Sequence, residues 1–389
     1  MSEEAKAKHA QRQVVNEVVL TPGQWLATLV VVLAVTILTP RIWKHVERFE
    51  TGPDYRIPYS LSKDYWLYQR RTETITDPGQ ILVLGDSVVW GEYVLPDGTW
   101  PHFLSKEAGQ PGKFVNAGVN GLFPLALEGL ARYYGDTLRN RKIILQCNVL
   151  WMSSPKADLQ TDKEERFNHS HLTPQFEPKI PCYRAGANEK LAIVAERNLQ
   201  FLSWVGHLQN AYFGQKSILD WTLEDDGKDP PHYPNSLKNP FGQITMSVPP
   251  APADDPERGP KSARHKPWFA GGNKPASFEW VSMESSLQWA AFQRLVELLE
   301  SRGNQVFVVL GPFNEHFIAQ ESQAGFKRWH DGIESWLKSR GIAHWSPAAL
   351  PTELYADASH PLTAGYELLA KETWADEAFQ KWLGAPVAR

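Results

Sequence analysis

Runs of uninterrupted apolar residues punctuate the chain, and most of them stop at a polar or glycine-containing turn. Residues 81–84 read Ile-Leu-Val-Leu and stop at Gly85-Asp86-Ser87; residues 113–116 enter the turn Gly118-Val119-Asn120-Gly121; residues 142–146 lead to Asn148; residues 306–310 lead to Gly311-Pro312. Between them lie stretches of helical periodicity near 99–108, 124–138, 283–302 and 325–340, followed by a short strand at 342–345 and a last helix from about Thr363. Strands that are apolar throughout are buried on both faces, and their alternation with helices predicts a parallel sheet covered on each side. The expected fold is α/β, a flavodoxin-like three-layer α/β/α domain over 78–385. Ligands of such sheets bind at the carboxyl ends of the strands, where the polar residues just named fall.

Two regions break this rhythm. Near the N-terminus, residues 25–38 carry no charge, and a span of 18–43 reaches the roughly 20 residues that crossing a bilayer requires. Trp25 and Trp43 fit interfacial positions. No small-x-small cleavage site follows the run, so it reads as an uncleaved signal-anchor after a tail of 1–17 rather than a cleaved signal peptide. Lys6, Lys8 and Arg12 precede it and Arg41, Lys44, Arg48 and Arg56 follow it, a near tie that leaves orientation open. Residues 44–77 read as a charged connector. The second irregular region, about 152–280, is a large insertion between the third and fourth strands, with a helical piece at 188–223 and a Pro-rich charged loop at 247–267 that reads as solvated.

Charge narrows the partners. A net charge of -4, with no Lys/Arg stripe, argues against nucleic acid. The two cysteines, Cys147 and Cys182, lack metal-ligand spacing, so no thiolate metal site is expected, and their pairing is open. Sixteen tryptophans are many for this length; Trp90 and Trp151, beside the Ser87 and Asn148 turns, are candidates for supporting the site from behind or stacking on a substrate.

A serine hydroxyl becomes a nucleophile when an imidazole takes its proton, a carboxylate orients that imidazole, and hydrogen-bond donors await the tetrahedral oxyanion. Ser87 stands at the end of the first strand, flanked by Gly85 and Gly91. Asp357-Ala358-Ser359-His360 offers carboxylate and base from one loop. Asp86 reads as a loop-fixing residue. His316, in Asn314-Glu315-His316 after the fourth strand, is a rival base, and Asn314 and His316 are otherwise supporting or substrate residues; His102, His330 and His344 have no matched carboxylate spacing.

Taken in order, Gly85-Asp86-Ser87 and Asp357-x-x-His360 resemble blocks one and five of the SGNH/GDSL hydrolase family. The turn 116–121 is similar to block two, which implies Gly121, or its rival Gly118, as an oxyanion donor. The third block keeps only Asn148 from the usual G-x-N-D, in Gln146-Cys147-Asn148-Val149. The resemblance implies a serine-dependent esterase or O-acyltransferase with Ser87, His360 and Asp357 catalytic, Gly121 and Asn148 holding the oxyanion, and no cofactor or metal. The chain is also similar to membrane-tethered proteins that O-acetylate exported polysaccharides, which implies an acylated carbohydrate or small ester as substrate, an extracytoplasmic domain and a multi-spanning membrane acyltransferase as partner. The incomplete third block and the insertion keep a second expectation in view: a non-catalytic scaffold of this fold that binds glycan or a membrane partner.

Overall fold

The computed structural model describes residues 20–224, 237–249 and 266–386, which fall into two units, Met1–Glu47 and Arg48–Arg389. The tail 1–17 with Lys6, Lys8 and Arg12, the start of the expected span at 18–19, and 250–265 of the Pro-rich loop lie outside the described residues.

Within the first unit the described residues carry one helix, α1 (Pro22–Val46). Thr21 caps it: the Gln24 amide N–H donates to the Thr21 hydroxyl at 3.3 Å, and the Thr21 N–H donates to the Gln24 side chain at 2.8 Å. This reciprocal pair is a capping box. Its 25 residues extend roughly 37 Å at 1.5 Å per residue. Its most apolar window has a mean hydropathy of 2.0. Among the described residues it is the one helix long and apolar enough to cross a membrane.

In the second unit, five strands form one all-parallel sheet in the order β2-β1-β3-β4-β5: β1 (Ile81–Leu84), β2 (Phe114–Asn116), β3 (Lys142–Cys147), β4 (Gln305–Leu310) and β5 (Ala343–Trp345). The unbroken apolar runs follow from burial on both sides. Ile81, Val83, Ile144, Phe307 and Val309 belong to a core shared with Trp100, Phe103, Tyr366, Leu369, Phe379 and Trp382. Those partners come from α4 (Trp100–Glu107), α12 (Thr363–Ala375) and α13 (Glu377–Gly384). Side chains alternate along a strand, so the equally buried Leu82, Leu84, Ile143, Leu145 and Val308 point to the opposite layer. There α5 (Pro124–Tyr134) packs on α10 (Leu287–Ser301), and α11 (Gln320–Ser339) packs beside β5. The sheet order reverses between β1 and β3, which leaves a crevice at their carboxyl ends.

The stretch 44–77 is not a connector beyond Glu47. From Arg48 it belongs to the compact unit and carries α2 (Tyr65–Glu73), capped by Asp64, with Trp66, Leu67 and Tyr68 buried. Its charges made it look solvated, yet Arg56, Arg70 and Arg71 are buried over the rings of Trp90, Phe49 and Tyr55. Arginine is suited to this because its flat, weakly hydrated cation stacks on aromatic faces. The helical piece at 188–223 consists of α6 (Ala187–Asn198), α7 (Gln200–Tyr212) and α8 (Ile218–Leu223), followed by α9 (Pro240–Gln243). A fully buried Asp64–His207 pair at 2.7 Å ties α7 to the cap of α2. Cys147 and Cys182 are both free and buried.

Candidate active site

At the end of β1 the chain turns through Gly85 and Asp86 into the one-turn helix α3 (Ser87–Trp90). Gly85 has no room for a side chain: a Cβ there would lie 2.5 Å from Val89 Cγ2 and 2.8 Å from Gln146 Oε1. Asp86 caps α3, accepting from the Val88 N–H at 2.8 Å, while its second oxygen accepts from Trp151 Nε1 at 2.9 Å and Asn148 Nδ2 at 3.3 Å. Burial pushes the Asp86 carboxyl up, against the pull of His360 and these donors. The helix ends at Gly91, whose φ of 87° is left-handed. Arg56 seals that end, donating to the carbonyls of Trp90, Gly91 and Val94 at 2.7, 2.6 and 2.7 Å.

The other half of the site is the loop before α12. Asp357 Oδ1 accepts from the backbone N–H groups of Ser359 and His360, both at 2.9 Å, so one carboxylate shapes the loop. Asn314, wholly buried, donates its amide to the Asp357 carbonyl at 2.9 Å, and its backbone N–H donates to the Ala358 carbonyl at 3.0 Å. His360 Nδ1 lies 2.8 Å from both Asp357 oxygens, and Nε2 lies 2.7 Å from Ser87 Oγ. The three side chains thus form one relay across the sheet's switch point.

Burial would raise the Asp357 carboxyl, but the charge of His360 and its hydrogen bonds outweigh this and hold it at about 2. For His360 burial works downward; Asp357, then Glu92 and Asp86, reverse it and lift the imidazole to about 9.

At this edge of the sheet the backbone N–H groups of Ser87 and Gly121 stand without an acceptor among the described residues. Gly121 has φ 77°, the left-handed region that favours glycine, and a Cβ on it would fall 2.7 Å from Asn168 Nδ2, so that side chain would have to move as well. The peptide before it is held firmly: Asn120 O accepts from His169 Nε2 at 2.8 Å, and His169 Nδ1 accepts from the Tyr65 hydroxyl at 3.1 Å. Burial lowers His169 to about 4, so its ring is neutral and this donor–acceptor order is fixed. In a trans peptide the C=O and N–H point opposite ways; anchoring Asn120 O therefore aims the Gly121 N–H away from His169. The rival glycine, Gly118, already donates to Asn116 Oδ1 at 3.1 Å. Asn148 spends one amide hydrogen on Asp86 and accepts from the Leu150 N–H at 3.0 Å, which leaves its second amide hydrogen.

Other candidates are placed differently. Trp90 is buried, with Nε1 donating to Ile57 O at 2.7 Å and Arg56 4.0 Å above its ring, so it has no face for a substrate. Trp151 is buried too and reaches the site only through Asp86. His316 is exposed in the turn Glu315–Phe317, and among the described residues nothing bonds it to Ser87 or Asp357. His102 does have a carboxylate, Asp54 at 2.8 Å, from a distant part of the chain.

The residues that pattern reading passed over are Glu92, Arg56 and His169. Glu92 Oε2 lies 3.6 Å from His360 Nε2 and accepts from Asn120 Nδ2 at 3.3 Å. A carboxylate just after the G-D-S turn was the available signal for it. Beside Gly121 a cleft of about 390 Å³ is lined by Phe123, Leu125, Ala126, Leu159 and Phe167, with Lys156 and Arg166. No model of a known family matches this chain, and no curated protein matches it in sequence.

Proposed function

We propose that the chain is a serine-dependent acyl-ester enzyme, an esterase or O-acyltransferase of the SGNH type, anchored in a membrane by α1. The observation that carries this reading is the Ser87–His360–Asp357 relay, with contacts of 2.7 and 2.8 Å at the carboxyl edge of the sheet. Ser87 Oγ attacks an ester carbonyl while its proton passes to His360 Nε2, and Asp357 stabilises the imidazolium. The tetrahedral oxygen takes hydrogen bonds from the Ser87 and Gly121 N–H groups and the remaining Asn148 amide hydrogen. Each donor of this kind contributes about 3 kcal/mol to the transition state. Collapse expels the alcohol, which receives the proton from His360, and leaves acyl-Ser87. Water or a second alcohol, deprotonated by the same imidazole, then takes the acyl group.

The cleft beside Gly121 has room for a substrate larger than a simple acetate ester. The apolar α1 supports a single-pass membrane protein, and the resemblance to polysaccharide O-acetylating proteins favours an extracytoplasmic site, O-acyl groups on envelope carbohydrate and a multi-spanning acyltransferase as partner. The test is to treat the full chain in detergent with a fluorophosphonate and map the adduct by mass spectrometry. The adduct is expected on Ser87, together with turnover of aryl acetates. A folded protein with Ser87 unlabelled and no turnover would leave only the scaffold reading.

A further inference from the structure

The imidazole of His360 meets carboxylates at both ring nitrogens. Asp357 serves Nδ1, as the relay needs; Glu92 stands 3.6 Å from Nε2, the nitrogen that moves protons. Glu92 is held there by built features. The left-handed turn at Gly91 brings its N–H onto Ser87 O at 2.9 Å, and Asn120 Nδ2 braces its carboxylate at 3.3 Å. The next residue, Tyr93, takes φ 68°, a costly conformation for a non-glycine residue, and sets its ring edge-on to His360 at 5.5 Å. Strain of this kind persists where surrounding contacts over-determine it, often at working sites. The side chains of His360 and Glu92 are 13% and 18% exposed, so both open on the mouth of the site.

We infer that Glu92 is a specificity residue for the alcohol that accepts the acyl group, taking a hydrogen bond from a second hydroxyl adjacent to the one His360 deprotonates. This rests on the reading of Ser87 as an acylated nucleophile. The attacking hydroxyl must sit about 2.8 Å from His360 Nε2 to give up its proton. Gauche hydroxyls of a 1,2-diol lie about one hydrogen-bond length apart, roughly 2.9 Å. A diol held at Nε2 therefore brings its second oxygen within bonding reach of Glu92 Oε2, across the 3.6 Å gap between the two protein atoms. A mono-alcohol leaves that carboxylate facing the site without a donor from the acceptor. The balance of the transfer is unchanged: the attacking O–H proton goes to His360, the new ester bond forms as the bond from Ser87 Oγ to the acyl carbon breaks, and Ser87 recovers the proton. Glu92 exchanges no proton in the transfer and binds only the bystander hydroxyl.

The experiment uses the full chain in detergent, p-nitrophenyl acetate as donor, and equimolar 1,2-propanediol and 1-propanol competing in one reaction. Acetate monoesters are quantified by mass spectrometry, and acetyl-Ser87 is measured in parallel. The wild type is expected to favour the diol at least fivefold per hydroxyl, and Glu92→Ala to bring the ratio to within twofold of parity. The ratio is internal to each protein, so a general loss of rate does not move it. Should Glu92→Ala fail to fold, Asn120→Ala, which removes only the brace, is to lower the preference at least twofold. A wild type without preference, an unchanged ratio in the variant, or a variant that alters only the pH profile overturns the inference while acetyl-Ser87 still forms. Absence of acetyl-Ser87 overturns the nucleophile assignment, and this inference with it.

Discussion

Arg56→Ala tests whether the helix that bears Ser87 is fastened from behind. The guanidinium donates to three carbonyls at 2.6–2.7 Å and stacks 4.0 Å from the centre of the Trp90 ring. A hydrogen bond from a charged donor contributes about 1.5–3 kcal/mol net, and a desolvated cation–π contact about 2 kcal/mol. The gross loss is thus roughly 6–11 kcal/mol. Two corrections reduce it. Contributions that share one guanidinium are not additive, and two of the carbonyls keep weaker donors, Trp90 O from Asn116 Nδ2 at 3.4 Å and Gly91 O from the Val94 N–H at 3.4 Å. The expected net destabilisation is about 3–5 kcal/mol, typical of breaking a buried charged contact. Arg56→Lys, which keeps the charge but cannot fork or stack, should fall between the two. Urea unfolding of the full chain in a non-denaturing detergent, followed by tryptophan fluorescence, measures the difference. Ester turnover under native conditions should fall at least tenfold, because the loosened turn is the one that aims Ser87. A loss below about 1 kcal/mol for Arg56→Ala would refute the fastening argument.

His360 must be neutral to accept a proton, and its value of about 9 places the neutral form above that pH. The kcat/KM of the free enzyme for a neutral ester should accordingly rise with pH and level off only beyond 9; an acid limb centred at or below 6.5 contradicts this electrostatic picture. The same shifts bear on stability. Asp357, depressed to about 2, stabilises the fold above its ordinary value of 3.8 and loses that contribution as pH falls through 2; His360, raised to about 9, contributes fully below 6.5 and loses its share as pH rises through 9. Urea midpoints across this range should therefore decline at both ends, and in Asp357→Asn the alkaline decline should shrink. His169→Leu releases the Asn120–Gly121 peptide, so kcat should drop by about 100-fold, the effect of losing one oxyanion donor, with KM little changed; a kcat within threefold of wild type counts against it. Gly121→Ala meets both a left-handed φ and Asn168, and should lower the urea midpoint as well as kcat.

The central strands were legible because burial on two faces leaves an apolar run, as in Ile81–Leu84. Ser87, and the pair Asp357 and His360, were legible because each half of the relay lies in one short loop with its own spacing. Arg56 was not. Counted along the chain it is one more positive charge after an apolar helix, and its acceptors lie 34 to 38 residues further on. His169 is likewise 49 residues from the peptide it anchors, and nothing around Asn168-His169 marks it beforehand. For the two tryptophans, support from behind agrees with the Trp151 hydrogen bond to Asp86, whereas stacking on a substrate does not fit. Trp90 and Trp151 stand next to the right turns in sequence, but an aromatic beside a strand end points inward as readily as outward, and both are buried.

Ser87 and His360 are separated by 273 positions, and the loop carrying the imidazole is held by Asn314, just after β4, through hydrogen bonds to the Asp357 and Ala358 carbonyls. Synthesis runs from the N-terminus, so the nucleophile proposed above leaves the ribosome long before anything exists to activate it. A nascent or truncated chain that stops short of residue 357 bears a serine as inert as any other. On the proposed reading, reactivity arrives only when the second loop has been made and seated, giving by chain order the kind of delay that a proenzyme obtains from a removable segment.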